Sequence, residues 1–276
     1  MKSNSYRKAL SGLVCGLVYL SATATIAILG FLLAYIVIHG APYLTKELFS
    51  WKYTSENVSM LPAIINTIQM TFITLLVAVP LGIASAIYLV EYEKKESRLV
   101  VLIRITTETL AGIPSIIYGL FGLLFFVTKL KWGYSMLAGA LTLAIMVLPL
   151  IIRTAEEALL AVPNSYREAS LGLGAGKLRT IVRIVLPSAI PGIIAGVILS
   201  IGRTVGETAA LVYTAGTVAQ ISGLMGSGRT LAVHMYSLSR EGLYINQAHA
   251  TALVLLLLVM GINAVSGFTA KRIKKR

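Results

Sequence analysis

"EASLGLGAGKLRTIVRIVLP", residues 168–187, sets alternating glycines beside a lysine, and how it is read decides what kind of molecule this is. As a phosphate cradle it fails on spacing. A P-loop needs a glycine five positions before its Gly-Lys pair and a hydroxyl residue after it, whereas Gly176-Lys177 has Leu171 and Leu178 there. A dinucleotide turn fails too, because Gly172, Gly174 and Gly176 alternate and no buried strand precedes them. The stretch does not bind ATP itself, so its role must come from its surroundings.

Those surroundings are apolar. Of 276 residues, 57% are hydrophobic and 13% charged, with the charges clustered, which is the composition of an integral membrane protein. Stretches free of Asp, Glu, Lys, Arg and His run over 9–38, 57–90, 109–128, 132–152 and 184–202, and a last one, 242–270, is broken only by His249. Each can cross about 30 Å of hydrocarbon as a helix of about 20 residues. An all-α bundle of six spans is expected.

The net charge of +13 would suggest nucleic acid in a soluble chain, but here its distribution matters more. Sixteen Lys and Arg fall before Ala9, in 91–98, in 153–183 and after Ala270, against six in the three alternate loops. Basic segments stay in the cytoplasm, so both termini are expected there and no nucleic-acid partner is called for. A seventh span over the uncharged 208–228 would put the tail Lys271-Arg272-Ile273-Lys274-Lys275-Arg276 outside. The Gly, Ser and Thr content of that stretch suits an external loop or re-entrant turn. The first apolar run continues to Ile38, beyond a signal core of about 7–15 residues, so an uncleaved helix is expected. It carries the lone Cys15, which leaves no internal disulfide and no thiol metal site. With no aspartate and three scattered histidines, 39, 234 and 249, no hydrolase constellation or metal site is expected, and the chain is not read as an enzyme.

Three parts are expected: an N-terminal helix with its external loop over 1–61, one membrane domain over 62–270, and a basic tail over 271–276. Pro80, Pro114, Pro149 and Pro191 permit kinks in spans. Small pairs such as Gly192/Gly196 and Gly202/Gly206 allow close packing, either within the chain or against a second membrane subunit.

The opening stretch now lies in a basic cytoplasmic segment between the fourth and fifth spans. Ser165-Tyr166-Arg167-Glu168 has the spacing of a capping box, and Pro163 blocks a helix running in from upstream. A short helix should start near Tyr166 and close at Gly172 or Gly174. A second should begin near Lys177, with Leu178, Ile181, Val182 and Val185 on one face. Physics alone fits both a stiff helix across the base of the bundle and a basic amphipathic loop resting on lipid headgroups.

Glu168-Ala169-Ser170, three residues, Gly174, nine residues, then Ile184-x-Leu186-Pro187 is similar to the E-A-A loop of permease subunits of ATP-binding-cassette importers, with serine replacing the third alanine. "ETLAGIPSIIYGLFG" (108–122), "GRTVGETAALVYTAG" (202–216) and "HATALVLLLLV" (249–259) resemble the phosphate-specific branch, in its PstA-type rather than its PstC-type form. The resemblance covers roughly residues 62–268. It implies a type I importer permease in the cell membrane, forming half of a phosphate pore with a PstC-type sister subunit. It also implies a cytoplasmic ATPase dimer that binds the ATP, with no cofactor in this chain, and an external phosphate-binding protein. Glu168, Ala169, Ser170, Gly174, Ile184, Leu186 and Pro187 would then belong to a coupling helix docked on the ATPase. An importer of another oxyanion and a self-sufficient ion-coupled carrier stay open as alternatives.

The buried charges need an account independent of any family. Arg203 stands about 22 Å along a helix from Ser188, past the midplane, and an arginine there should face water or a partner. Glu207 follows at i+4, and Arg104 and Glu108 repeat the spacing in the third span. Either each pair neutralises itself, or Arg203 offers its fork to an oxyanion in transit while Glu207 accepts a P–O–H proton. Thr204, Thr208, Asn66 and Gln69 could line that path or only join helices.

Overall fold

A computed structural model describes residues 2–93 and 97–274; Lys94, Lys95 and Glu96, part of the expected basic loop, lie outside them, as do the last two residues of the tail. Helix α1 (Lys2–Gly40) leads through two short 3₁₀ turns to α2 (Leu61–Ile87), which ends in a π turn at Tyr88–Tyr92. Then come α3 (Arg98–Ala111), α4 (Ser115–Gly122) with a π turn to Lys129, and α5 (Met136–Leu160). The opening stretch forms α6 (Asn164–Gly172) and α7 (Lys177–Thr180), followed by α8 (Leu186–Val205), α9 (Ala209–Thr214), α10 (Leu231–Glu241) and α11 (Ile245–Lys274). Five helices are long and apolar enough to span a membrane, and the α3–α4 pair makes up to six.

That third span is not straight. The two halves meet at 98°, because Pro114 cannot donate to the preceding turn and forces Ile113 away from helical geometry, while Gly112 adds the least helix preference of the ordinary residues. The Tyr118 hydroxyl crosses the bend to donate to the Leu110 carbonyl at 2.8 Å. Pro80, Pro149 and Pro191 stay inside α2, α5 and α8 without breaking them.

Helix α5 is the axis of the bundle, packed against α2, α8, α3 and α4, with Leu143, Val147, Ile151 and Leu159 fully buried. At the α5–α8 seam a Cβ on Gly196 would collide with Thr154 Oγ1, and one on Gly192 would stand 2.6 Å from Ala158 Cβ. These two glycines therefore serve packing inside the chain, whereas nothing lies within 4 Å of a Cβ on Gly202. Helix α1 packs against α11, and its apolar side chains from Leu10 to Leu33 are exposed. Residues 208–228 contain only the six-residue α9 and irregular chain, so no seventh long helix forms there.

Candidate functional site: a lever joined to a charged cavity

Helix α6 begins at Asn164, two residues earlier than expected, with Pro163 as its N-cap and no side-chain cap. Ser165 is thereby drawn into the first turn and the capping box does not form. The exit is the glycine elbow: Gly174 adopts φ +82°, its N–H bonds the Leu171 carbonyl at 2.9 Å, and the Ala175 N–H bonds the Ser170 carbonyl at 3.1 Å. That pair of bonds is a Schellman closure, and Gly174 rather than Gly172 makes it, since Gly172 is still helical.

After the elbow, α7 runs through a π turn (Ile181–Val185) into α8 as one helix over Lys177–Val205. The expected apolar face of α7 is divided. Ile181 and Val185 are buried, one π or α turn apart, while Leu178 and Val182 are exposed on the other side. Ser170, the departure from alanine, has a use here: its Oγ lies 2.8 Å from Thr180 Oγ1, both buried, tying α6 to α7. Glu168 and Ala169 face outward, with Leu171 and Leu173 exposed beside them. Ile184 and Leu186 are half-buried, and Pro187 is exposed beside a cleft lined also by Pro163, Tyr166 and Arg183.

Neither arginine pairs with the glutamate one turn along. Arg104 Nε donates to Glu156 Oε1 at 2.9 Å, with Nη2 on the same oxygen, and Glu108 is exposed. Arg203 has no carboxylate within ion-pair distance among the described residues. It lines a cavity of about 380 Å³ with Leu150, Ile198, Leu199, Gly202 and Asn263. Glu207, 9% exposed, accepts the Ala210 N–H at 3.1 Å through Oε1 and so caps α9. Thr204 spends its hydroxyl on the Ser200 carbonyl within its own helix. Asn66 joins elements, donating to the carbonyls of Gln220 and Arg229 and accepting the Ser222 N–H.

Sequence reasoning missed Glu156, Asn263 and Arg167. Arg167 leaves α6 to bind Glu91 at 2.7 and 2.9 Å and the carbonyls of Leu159 and Val162. At the opposite end of the bundle, Arg229 stacks 4.7 Å above the Tyr53 ring, and the fully buried His234 meets the same ring edge-on. Burial first, and then the Arg229 charge, lower the His234 imidazole to about 3, against a small opposing contact from the Val58 backbone.

Residues 78–276 match the family described as binding-protein-dependent transport system inner membrane component. The chain is 34% identical over 98% of its length to the probable ABC transporter permease protein YqgI of Bacillus subtilis, covering 98% of that protein. It is 32% identical over 95% of its length to the phosphate transport system permease protein PstA of Haemophilus influenzae, covering 96% of it. Among solved structures, a bacterial ABC transporter involved in the import of alginate superposes with a TM-score of 0.70 at 15% identity, over 93% of this chain and 96% of that one. The fold is that of type I ABC importer permeases.

Proposed function

The chain belongs to the family of binding-protein-dependent transport system inner membrane components, and from that premise we propose that it forms half of the pore of an ATP-driven importer of inorganic phosphate. The carrying observation is that Arg203, which has no ion-pair partner among the described residues and lines a cavity, stands on the same continuous helix that begins at the glycine elbow. A charge that contacts a passing oxyanion is thus joined mechanically to the segment a motor would push.

In this reading the α6 end is cytoplasmic, as its basic residues favour, and so are both termini. Glu168, Ala169 and the exposed Leu171 and Leu173 present a docking surface to a separate ATPase dimer, which alone binds ATP. A PstC-type sister subunit completes the pore, and an external phosphate-binding protein delivers the solute. Arg203 supplies a fork of N–H donors to phosphate oxygens. Glu207, with Oε1 held by the Ala210 N–H, keeps Oε2 for the P–O–H proton that phosphate carries and sulfate lacks at neutral pH.

The test is uptake by the complete complex, with binding protein, in ATP-loaded vesicles. Phosphate should accumulate, sulfate should not, ATP depletion should abolish the flux and a protonophore should spare it. Sulfate flux would reassign the substrate to another oxyanion. Flux that survives ATP depletion and collapses with the protonophore would make the chain an ion-coupled carrier.

A further inference from the structure

We propose that Glu91 is the positioning residue through which the cytoplasmic lever moves α2, with Arg167 as the hook; the inference rests on α6 being the helix that docks on the ATPase. All three nitrogens of the Arg167 guanidinium are engaged. Nε and Nη2 donate to Glu91 Oε1 at 2.9 and 2.7 Å, Nη2 also to the Leu159 carbonyl at 2.9 Å, and Nη1 to the Val162 carbonyl at 2.8 Å and Asn164 Oδ1 at 3.4 Å. One side chain on α6 therefore holds the π turn that ends α2 and the last turn of α5 together.

The two side chains are 17% and 8% exposed. An ion pair this far out of water holds only when further hydrogen bonds satisfy the remaining protons, and here the carbonyls of Leu159, in the last turn of α5, and Val162, just beyond it, supply them. The fork also fixes direction, which an apolar contact free to slide does not. A second grip lies beside the first, where Lys177 Nζ of α7 sits 4.9 Å over the Tyr92 ring in the same π turn. The Ser170–Thr180 bond joins the helices that bear the two grips.

The placement of Glu91 fits this use. No charged residue occurs from Asn57 to Val90, so Glu91 is the first point on that span where an ion pair can form. It sits in a π turn, a widened backbone often found at functional sites. The lever thus reaches the pore by two routes, through the chain itself into α8 and through the Glu91 latch into α2.

The experiment uses the complete complex in vesicles and reads phosphate accumulated per ATP hydrolysed. Glu91→Gln keeps the size of the side chain and leaves the bonds of Arg167 to the Leu159 and Val162 carbonyls possible. The expected result is normal assembly and ATP turnover with the ratio reduced roughly two- to thirtyfold, the span by which residues along a coupling route alter it. In a Cys15→Ala background, Glu91→Cys with Arg167→Cys should be uncoupled, and joining the two thiols with a short bifunctional reagent should recover the ratio. An unchanged ratio in Glu91→Gln overturns the latch, and so does loss of folded complex at a normal ratio, which would make the pair a support of the fold alone. A wild-type complex that hydrolyses ATP without accumulating phosphate refutes the substrate reading instead. The latch is then scored on the ATP-driven change in distance between spin labels at Ser85 of α2 and Leu173 at the end of α6: with the latch closed the two elements travel together and the change is small, Glu91→Gln should enlarge it, and an equal change in both proteins overturns the proposal.

Discussion

Arg104 of α3 closes on Glu156 of α5 rather than on Glu108 one turn along its own helix. The bend at Pro114 leaves α3 at an angle to its continuation, and its packing on α5 brings the two charges together. Glu156 is the less exposed partner, 12% against 40% for Arg104. Glu156→Gln should therefore destabilise the α3–α5 contact by about 1–2 kcal/mol, below the roughly 3–5 kcal/mol of a fully buried pair because Arg104 is only part-buried within the chain. Glu108→Gln should stay within about 0.5 kcal/mol of wild type. Thermal unfolding of the two purified variants, compared side by side, checks the ranking.

Arg203 is the charge most exposed to the consequences of the proposed function. Arg203→Gln should abolish phosphate uptake while the assembled complex still hydrolyses ATP, and Arg203→Lys should rescue it only partly, because a lysine lacks the fork. Normal uptake by Arg203→Gln would remove this residue from the path.

Two glycines in the same turn should respond in opposite ways. Gly174 holds φ +82°, so Gly174→Ala should cost about 1–2 kcal/mol. A Cβ at the helical Gly172 meets open space, and Gly172→Ala should be neutral or stabilising by up to about 1 kcal/mol. Gly174→Asp and Glu168→Lys, which change the elbow and the outward face, should leave the chain inserted but separate ATP hydrolysis from uptake. Wild-type coupling in both would contradict the role given to α6.

His234 gives an acid signature. Its imidazole is lowered from 6.5 to about 3, so the folded chain keeps it neutral while the unfolded chain takes up a proton below pH 6.5. Its contribution is fully present above pH 6.5 and is lost as pH falls towards 3, by about 1.4 kcal/mol per unit. His234→Gln should flatten this part of the stability curve measured between pH 7 and 4. Parallel loss in both proteins would place the acid sensitivity elsewhere.

The spans were legible because lipid imposes a long charge-free run on each, and the elbow because the φ that Gly174 adopts favours glycine. The charge partners were not. An i+4 rule sees only neighbours on one helix, whereas Arg104 found Glu156 across a bend whose angle no local pattern states. Cutting the fourth stretch at Ile152 also hid Glu156, although helical spacing puts it on the buried face between Ile152 and Leu159. The Ser165 cap failed because the helix starts two residues early, directly after the extended Pro163, which puts Ser165 inside the first turn. Arg167 carried no signal of its own: its partners lie on α2 and α5, and only packing brings them within reach.

The unbroken helix from Lys177 to Val205 also sets a mechanical ratio. At about 1.5 Å per residue, Lys177 and Arg203 stand roughly 39 Å apart on one rod, so a tilt of roughly 5° about either end displaces the other by about 3 Å. That is enough to open or close a hydrogen bond to a passing anion. Under the proposed function, a motor stroke of a few degrees at the membrane surface would switch the grip on the solute, with no need for the arginine itself to change rotamer.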